Sequence, residues 1–247
     1  MRPIAVLGAG AFGTALAVTM AQTGRSILLW GRSERAVAAM MAARANEARL
    51  PGVAFPESLA AIASLADIPQ SAVLILAVPA QETEAFLQAH GAALPRAPLV
   101  LAAKGLCRQS GRRQSEVAAA CLPGHPLAVL SGPGFAGEIA RGLPTALTLA
   151  CADKVLASQL QARLGTPTLR LYTNADVPGV ELGGALKNVV ALACGMCAGA
   201  DLGESARAAL MTRGFAEMQR LAAAIGAEPA TLAGLSGLGD LALSAAT

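Results

Sequence analysis

The chain has 247 residues, 54% of them hydrophobic and 14% charged, which excludes a disordered polymer and supplies apolar side chains for one large or two medium cores. Nineteen basic against sixteen acidic residues leave 19 − 16 = +3, too little and too scattered for a nucleic-acid surface but suited to small anionic ligands. Mean hydropathy is +0.53, yet the most apolar late run, 188–200, lies between Lys187 and Asp201 and falls short of the roughly 18 residues of a span, so a soluble protein without a membrane span is expected.

Ile4-Ala5-Val6-Leu7 is a short apolar run that stops at Gly8-Ala9-Gly10-Ala11-Phe12-Gly13 and continues as an alanine-rich helix, roughly 11 to 23. This is how a parallel strand hands over to the helix of a βαβ unit. Gly8 permits the tight turn, Gly10 lets a pyrophosphate approach the backbone, and Gly13 lets helix and strand pack closely, so Gly8, Gly10, Ala11, Phe12 and Gly13 are the expected cofactor contacts. A basic start followed by apolar residues to Ala21 also has the outline of a signal peptide, but three glycines at this spacing and the strand that follows argue against it.

Residues 26–30 read as the second strand, followed by Gly31-Arg32-Ser33-Glu34-Arg35. A fold selective for NAD usually places an acidic residue here; Arg32 instead suits the 2′-phosphate of NADPH, while Ser33 suits an ordinary helix N-cap, so NADPH and NADH both stay open. A helix to about Ala45 leads into a loop through Asn46, Pro51-Gly52 and Phe55-Pro56. Buried strands are expected at 72–78 and 99–103, the second ending in Lys104-Gly105-Leu106, which puts a cation where such sheets bind ligands. Another strand, 127–130, runs into the glycine-rich turn 131–137, and strands at 145–150 and 168–172 flank a helix from about Asp153. From Asp176 onward only helices are expected, at 177–199 and 203–225. The fold class is therefore α/β, a Rossmann-type doubly wound, mostly parallel sheet over 1–174 followed by a helical domain over 175–247.

The five cysteines show no framework spacing and fit a reducing cytoplasm; the Cys194/Cys197 pair lies inside an apolar helix and reads as small buried residues, with no metal site expected. His90 and His125 read as surface residues, and Trp30 and Tyr172 as packing residues at strand ends. Lys187 stands in an otherwise apolar helix, so it either reaches a cleft and an anion or snorkels to the surface.

Gly8 to Gly13, Lys104-Gly105-Leu106, Ser131-Gly132-Pro133, the run 182–189 around Lys187, and Gly237-Leu238-Gly239-Asp240 occur in the order found in NAD(P)-dependent glycerol-3-phosphate dehydrogenases. The chain resembles the bacterial type of that family over essentially its whole length. The resemblance implies hydride transfer between NADPH or NADH and dihydroxyacetone phosphate, giving sn-glycerol 3-phosphate for phospholipid synthesis, with a homodimer as one assembly. It implies that Lys187 is the catalytic lysine, that Lys104 touches cofactor and substrate, that Asp240 orients Lys187, that Gly132 contacts substrate, and that Ala136 contacts cofactor. Gly134 stands on the substrate side where the family has a serine or threonine. The family also continues past the motif at Asp240 into a serine-arginine-asparagine-arginine segment that binds the substrate phosphate, and then into further helices, so a chain ending at Thr247 is expected to lack that clamp and to leave an apolar helix face uncovered, with an NAD(P)-binding chain without turnover as the alternative. A related dehydrogenase for a β-hydroxyacid or ketopantoate-like substrate accounts for the glycine turn and a helical-domain lysine, but not for Lys104-Gly105-Leu106 together with the Asp240 motif.

Overall fold

The computed structural model describes residues 3–246. Eight strands form one sheet in the order β3-β2-β1-β4-β5-β6-β7-β8, with β1 (Ile4–Leu7), β2 (Ile27–Trp30), β3 (Leu59–Ile62), β4 (Val73–Leu76), β5 (Leu99–Leu101), β6 (Leu127–Ser131), β7 (Thr145–Ala150) and β8 (Leu169–Asn174). All neighbours are parallel except β6 and β7. The strand order reverses at β1, whose neighbours are β2 and β4, and this leaves a crevice beyond the carboxyl ends of β1 and β4.

Alternation along β1 shows why the strands read as continuous apolar runs. Ile4 and Val6 join a layer with Leu16, Ile27, Ile75 and Val100, whereas Ala5 and Leu7 join one with Trp30, Leu74, Phe86 and Leu99. Both faces of the sheet are thus covered, as a parallel sheet requires. Helices α1 (Ala11–Ala21), α2 (Glu34–Ala43), α3 (Thr83–His90), α4 (Gln114–Cys121), α5 (Ala136–Ala140) and α6 (Lys154–Leu164) connect the strands. Ser33 caps α2 by accepting from the Ala36 N–H, and Asp153 caps α6.

Beyond the sheet, α7 (Val177–Gly199) starts against it with Val180 and then enters a separate apolar cluster made with α8 (Glu204–Ala224), α9 (Pro229–Leu232) and α10 (Asp240–Ala245). Cys194 and Cys197 are buried in this part. By length and composition α7 could cross a membrane, yet its Glu181 and Lys187 are buried against partners from α4 and α10. Val189, Leu192 and Met196, on one face of α7, are each about two thirds exposed.

Several local expectations are corrected. The sequence pattern announces neither β3 nor α4: Leu59-Ala60-Ala61-Ile62 has two alanines, which carry little strand signal, and α4 is only two turns long. His90 is half-buried, its ring packing on Phe86 and Trp30 at 5.0 and 5.9 Å between centroids. His125 is half-buried as well, with both ring nitrogens buried. Trp30 is buried and its indole N–H donates to the Ala63 carbonyl, but Tyr172 is 46% exposed on the edge strand β8, its ring under the Arg170 guanidinium.

Candidate active site

Two structures meet at the carboxyl edge of the sheet. The first is the β1–α1 turn. Gly8 takes φ +123°, and a Cβ there would stand 2.6 Å from the Ala77 carbonyl oxygen at the end of β4. A Cβ on Gly13 would stand 2.1 Å from the Gly8 carbonyl oxygen, so both positions require glycine for packing. Gly10 differs, because a Cβ there would meet nothing within 4 Å. The first turn of α1 has no side-chain cap and no acidic residue, so its first N–H groups have no side-chain acceptor, an arrangement that fits the diphosphate of a dinucleotide. Asn46, which carried no signal as a loop residue, is buried and braces this turn by donating to the Ala9 carbonyl at 3.0 Å and to Thr14 Oγ1 at 2.8 Å. Arg32 is exposed just beyond β2, and Ala136 opens α5 packed beside Phe12.

The second is a cluster of charge. Lys104 follows β5, Lys187 lies in the middle of α7, and Asp240 opens α10; they are brought together across 136 residues of sequence. Lys104 Nζ donates to Asp240 Oδ2 at 2.5 Å and to the Gly132 carbonyl at 2.8 Å. Lys187 Nζ donates to Asp240 Oδ1 at 2.8 Å and to Ser244 Oγ at 2.6 Å. Each carboxylate oxygen therefore holds one ammonium, and two cations on one anion leave a single net positive charge. Asp240 is 1% exposed and Lys187 7%. Burial pushes the Lys104 ammonium below the usual lysine range and repulsion from Lys187 adds to this, while attraction and the hydrogen bond from Asp240 oppose it.

Glycines make the close approach possible. A Cβ on Gly184 would sit 2.7 Å from Ser131 Oγ and 3.4 Å from Lys104 Cγ, and one on Gly183 would sit 2.9 Å from the Ser236 carbonyl oxygen. Side chains there would push α7 away from both the β6 turn and the turn that delivers Asp240. Gly132 has φ +137°, which turns its carbonyl to Lys104. A Cβ on Gly134 would stand 3.0 Å from Ile139 Cδ1 and 3.2 Å from Thr145 Cγ2, so a hydroxyl residue needs its neighbours to give way.

The family model described as NAD-dependent glycerol-3-phosphate dehydrogenase N-terminus matches residues 3–157, and the C-terminus model of the same enzyme matches 176–247. The chain belongs to the NAD-dependent glycerol-3-phosphate dehydrogenase family. Its curated relatives include the glycerol-3-phosphate dehydrogenase [NAD(P)+] of Ruegeria sp. (strain TM1040), 52% identical over 98% of this chain and 75% of that protein. That of Rhodospirillum rubrum is 53% identical over 98% of this chain and 70% of that protein. Among solved structures, the glycerol-3-phosphate dehydrogenase of Coxiella burnetii superimposes with a TM-score of 0.93 at 39% identity, covering 99% of this chain and 75% of that one.

Within this glycerol-3-phosphate dehydrogenase fold, Lys104, Gly132, Lys187 and Asp240 form one contact cluster, while Gly8 and Gly10 lie in the turn beyond β1 and Ala11, Phe12 and Gly13 in the first turn of α1. Sequence reasoning missed Ser244 as the second partner of Lys187, and Glu181, whose buried carboxylate on α7 holds Ser115. A carboxylate in the same apolar run as Lys187 was the available signal for Glu181. Ser244 gave none.

Proposed function

We propose that the chain interconverts dihydroxyacetone phosphate and sn-glycerol 3-phosphate, with residues 1–174 holding the nucleotide and 175–247 forming the substrate side. The observation that carries this reading is the Lys104–Asp240–Lys187 cluster, buried at the sheet edge that also presents the uncapped start of α1. NADH or NADPH supplies the hydride when bound. The first turn of α1 fits the diphosphate, with Gly10 leaving it room and Gly8, Ala11, Phe12 and Gly13 assigned to the same contact; Arg32 and Ala136 are assigned to the same cofactor, Arg32 facing the ribose end of NADPH.

The proton side of the reaction falls to the cluster. As the substrate carbonyl gains a hydride its oxygen becomes an alkoxide, and the Lys187 ammonium stabilises that charge and gives it a proton. Asp240 keeps Lys187 aimed. Lys104 adds a second positive group, and the single net charge of the cluster suits a phosphorylated substrate. Gly132 and Gly134 are assigned to the substrate side. Membership of the family supports a cytoplasmic location in the service of phospholipid synthesis.

The test is loss of NADH or NADPH absorbance when dihydroxyacetone phosphate is added to the purified chain. Oxidation that requires the phosphorylated ketone is expected; a folded protein that binds nucleotide and shows no turnover refutes the reading and leaves a nucleotide-binding chain. The turn is tested separately. Gly10→Ala should fold with an unchanged Tm, because its Cβ meets open space, yet lose at least about tenfold in NADPH affinity, or ~1.4 kcal/mol. Gly13→Ala should lose both affinity and stability, since its Cβ strikes backbone. Wild-type NADPH affinity in Gly10→Ala would remove the turn from the cofactor site.

A further inference from the structure

Glu181 is a buried carboxylate that the proposed chemistry does not use. It is 7% exposed, and both of its oxygens are engaged by one residue: Oε1 accepts from the Ser115 N–H at 2.8 Å and Oε2 from Ser115 Oγ at 2.5 Å, with Arg113 Nη1 at 4.0 Å. Ser115 is in the first turn of α4, so the carboxylate also neutralises the positive end of that helix. The neighbouring residue, Gln114, is 2% exposed and its Nε2 donates to the Gly105 carbonyl at 2.9 Å. Gly105 follows Lys104 directly and has φ +143°, a conformation the turn needs held.

These links form a closed circuit. It leaves α7 at Glu181, passes through the start of α4 to Gly105 and Lys104, crosses Asp240, and returns to α7 at Lys187. We propose that Glu181 is a positioning residue that fixes Lys104 in register with Lys187. The need for it is physical: Lys104 sits on a loop after a strand of three residues, at the end of a flexible four-carbon stem, and nothing in β5 alone defines where its ammonium stands. A displacement of about 1 Å in a reacting geometry can cost about a hundredfold in rate. A carboxylate suits the place because it accepts two donors at once, whereas an amide accepts with only one oxygen and would turn its NH2 against a donor.

This inference rests on the proposed roles of Lys104 and Lys187, so its test includes a readout that does not need turnover. The chain has three lysines, Lys104, Lys154 and Lys187, and Lys154 is exposed on α6. Acetic anhydride labelling followed by peptide mass spectrometry therefore reports Lys104 against Lys154 as an internal reference. In Glu181→Gln, Lys104 should acetylate several-fold faster relative to Lys154 and kcat should fall ten- to a hundredfold. Gln114→Met breaks the circuit one link later; it keeps the length and also removes a buried Oε1 that has no partner, so it should fold even where Glu181→Gln does not, and show the same pattern. Unchanged Lys104 labelling and kcat in folded variants overturns the proposal, as does a lower Tm with Lys104 still protected. Should both variants unmask Lys104 while the wild-type chain fails to reduce dihydroxyacetone phosphate, the positioning role stands and the functional reading falls.

Discussion

Lys187→Met is expected to lower kcat by at least about a hundredfold, within the ~10²- to 10⁴-fold range for losing a positioned general acid, and to leave NADPH affinity within twofold. The argument starts from the connectivity of the cluster. Asp240 keeps Lys104 on its Oδ2, so removing Lys187 leaves a matched ion pair rather than a stranded charge. Methionine fills the same unbranched path through α7, and the damage to folding is limited to one carboxylate oxygen and Ser244 Oγ losing their donor, about 1–3 kcal/mol. The nucleotide turn is built from β1, α1 and Asn46 and does not touch Lys187. Steady-state kinetics with dihydroxyacetone phosphate and a fluorescence titration with NADPH separate the two effects. A kcat within tenfold of the wild type would take the proton-donor role from Lys187.

What could be read from the sequence, and what could not, follows from the range of the interactions. The β1 turn and α7 were legible because their signals are local: glycines at fixed spacing after an apolar run, and an uninterrupted helical stretch from Val177 to Gly199. β3 was not, because its place beside β2 is decided by the ladder Ile27 to Leu59 and not by its alanine-rich composition. The charged cluster was half legible. Lys187 stood out as a cation in an apolar helix, but its pairing with Asp240 spans 53 residues and depends on Gly183 letting the turn at Ser236 approach α7, while Gly184 leaves room for Ser131 and Lys104, which no pattern of charges announces. Lys104 stood out as a cation at the end of a buried strand, and family resemblance brought Asp240 to notice; the bridging of both lysines by one carboxylate is a tertiary fact. His125 shows the opposite failure, since adjacent proline and glycine suggested exposure while packing buries both ring nitrogens.

Asp240→Asn is expected to harm stability far more than Lys187→Met does, although both remove one charge. The asparagine oxygen can accept from one ammonium only, and its NH2 group must then face the other. One buried and one half-buried cation are left without an anion, a situation that costs about 3–5 kcal/mol, which for a chain of this size is a fall in Tm of roughly 6–20 °C. The sign of the pH dependence follows from Lys104. Its ammonium is already held below the usual lysine range by burial, and the influence opposing that shift comes from Asp240. With Asp240 gone the folded-state pKa drops further, while the unfolded chain keeps the ordinary lysine value. Between those two values the unfolded state binds more protons, so stability rises with pH there. The penalty of Asp240→Asn should thus be complete below the lowered folded pKa and shrink as pH climbs towards the ordinary lysine value, in contrast to the acid sensitivity of a typical buried carboxylate. The double variant Lys187→Met with Asp240→Asn removes one of the stranded cations and should recover part of the lost Tm, a coupling that two independent sites would not show. Thermal melts of the three variants across neutral to alkaline pH decide it: additive losses, or a penalty that grows with pH, would mean that Asp240 does not hold the two lysines together.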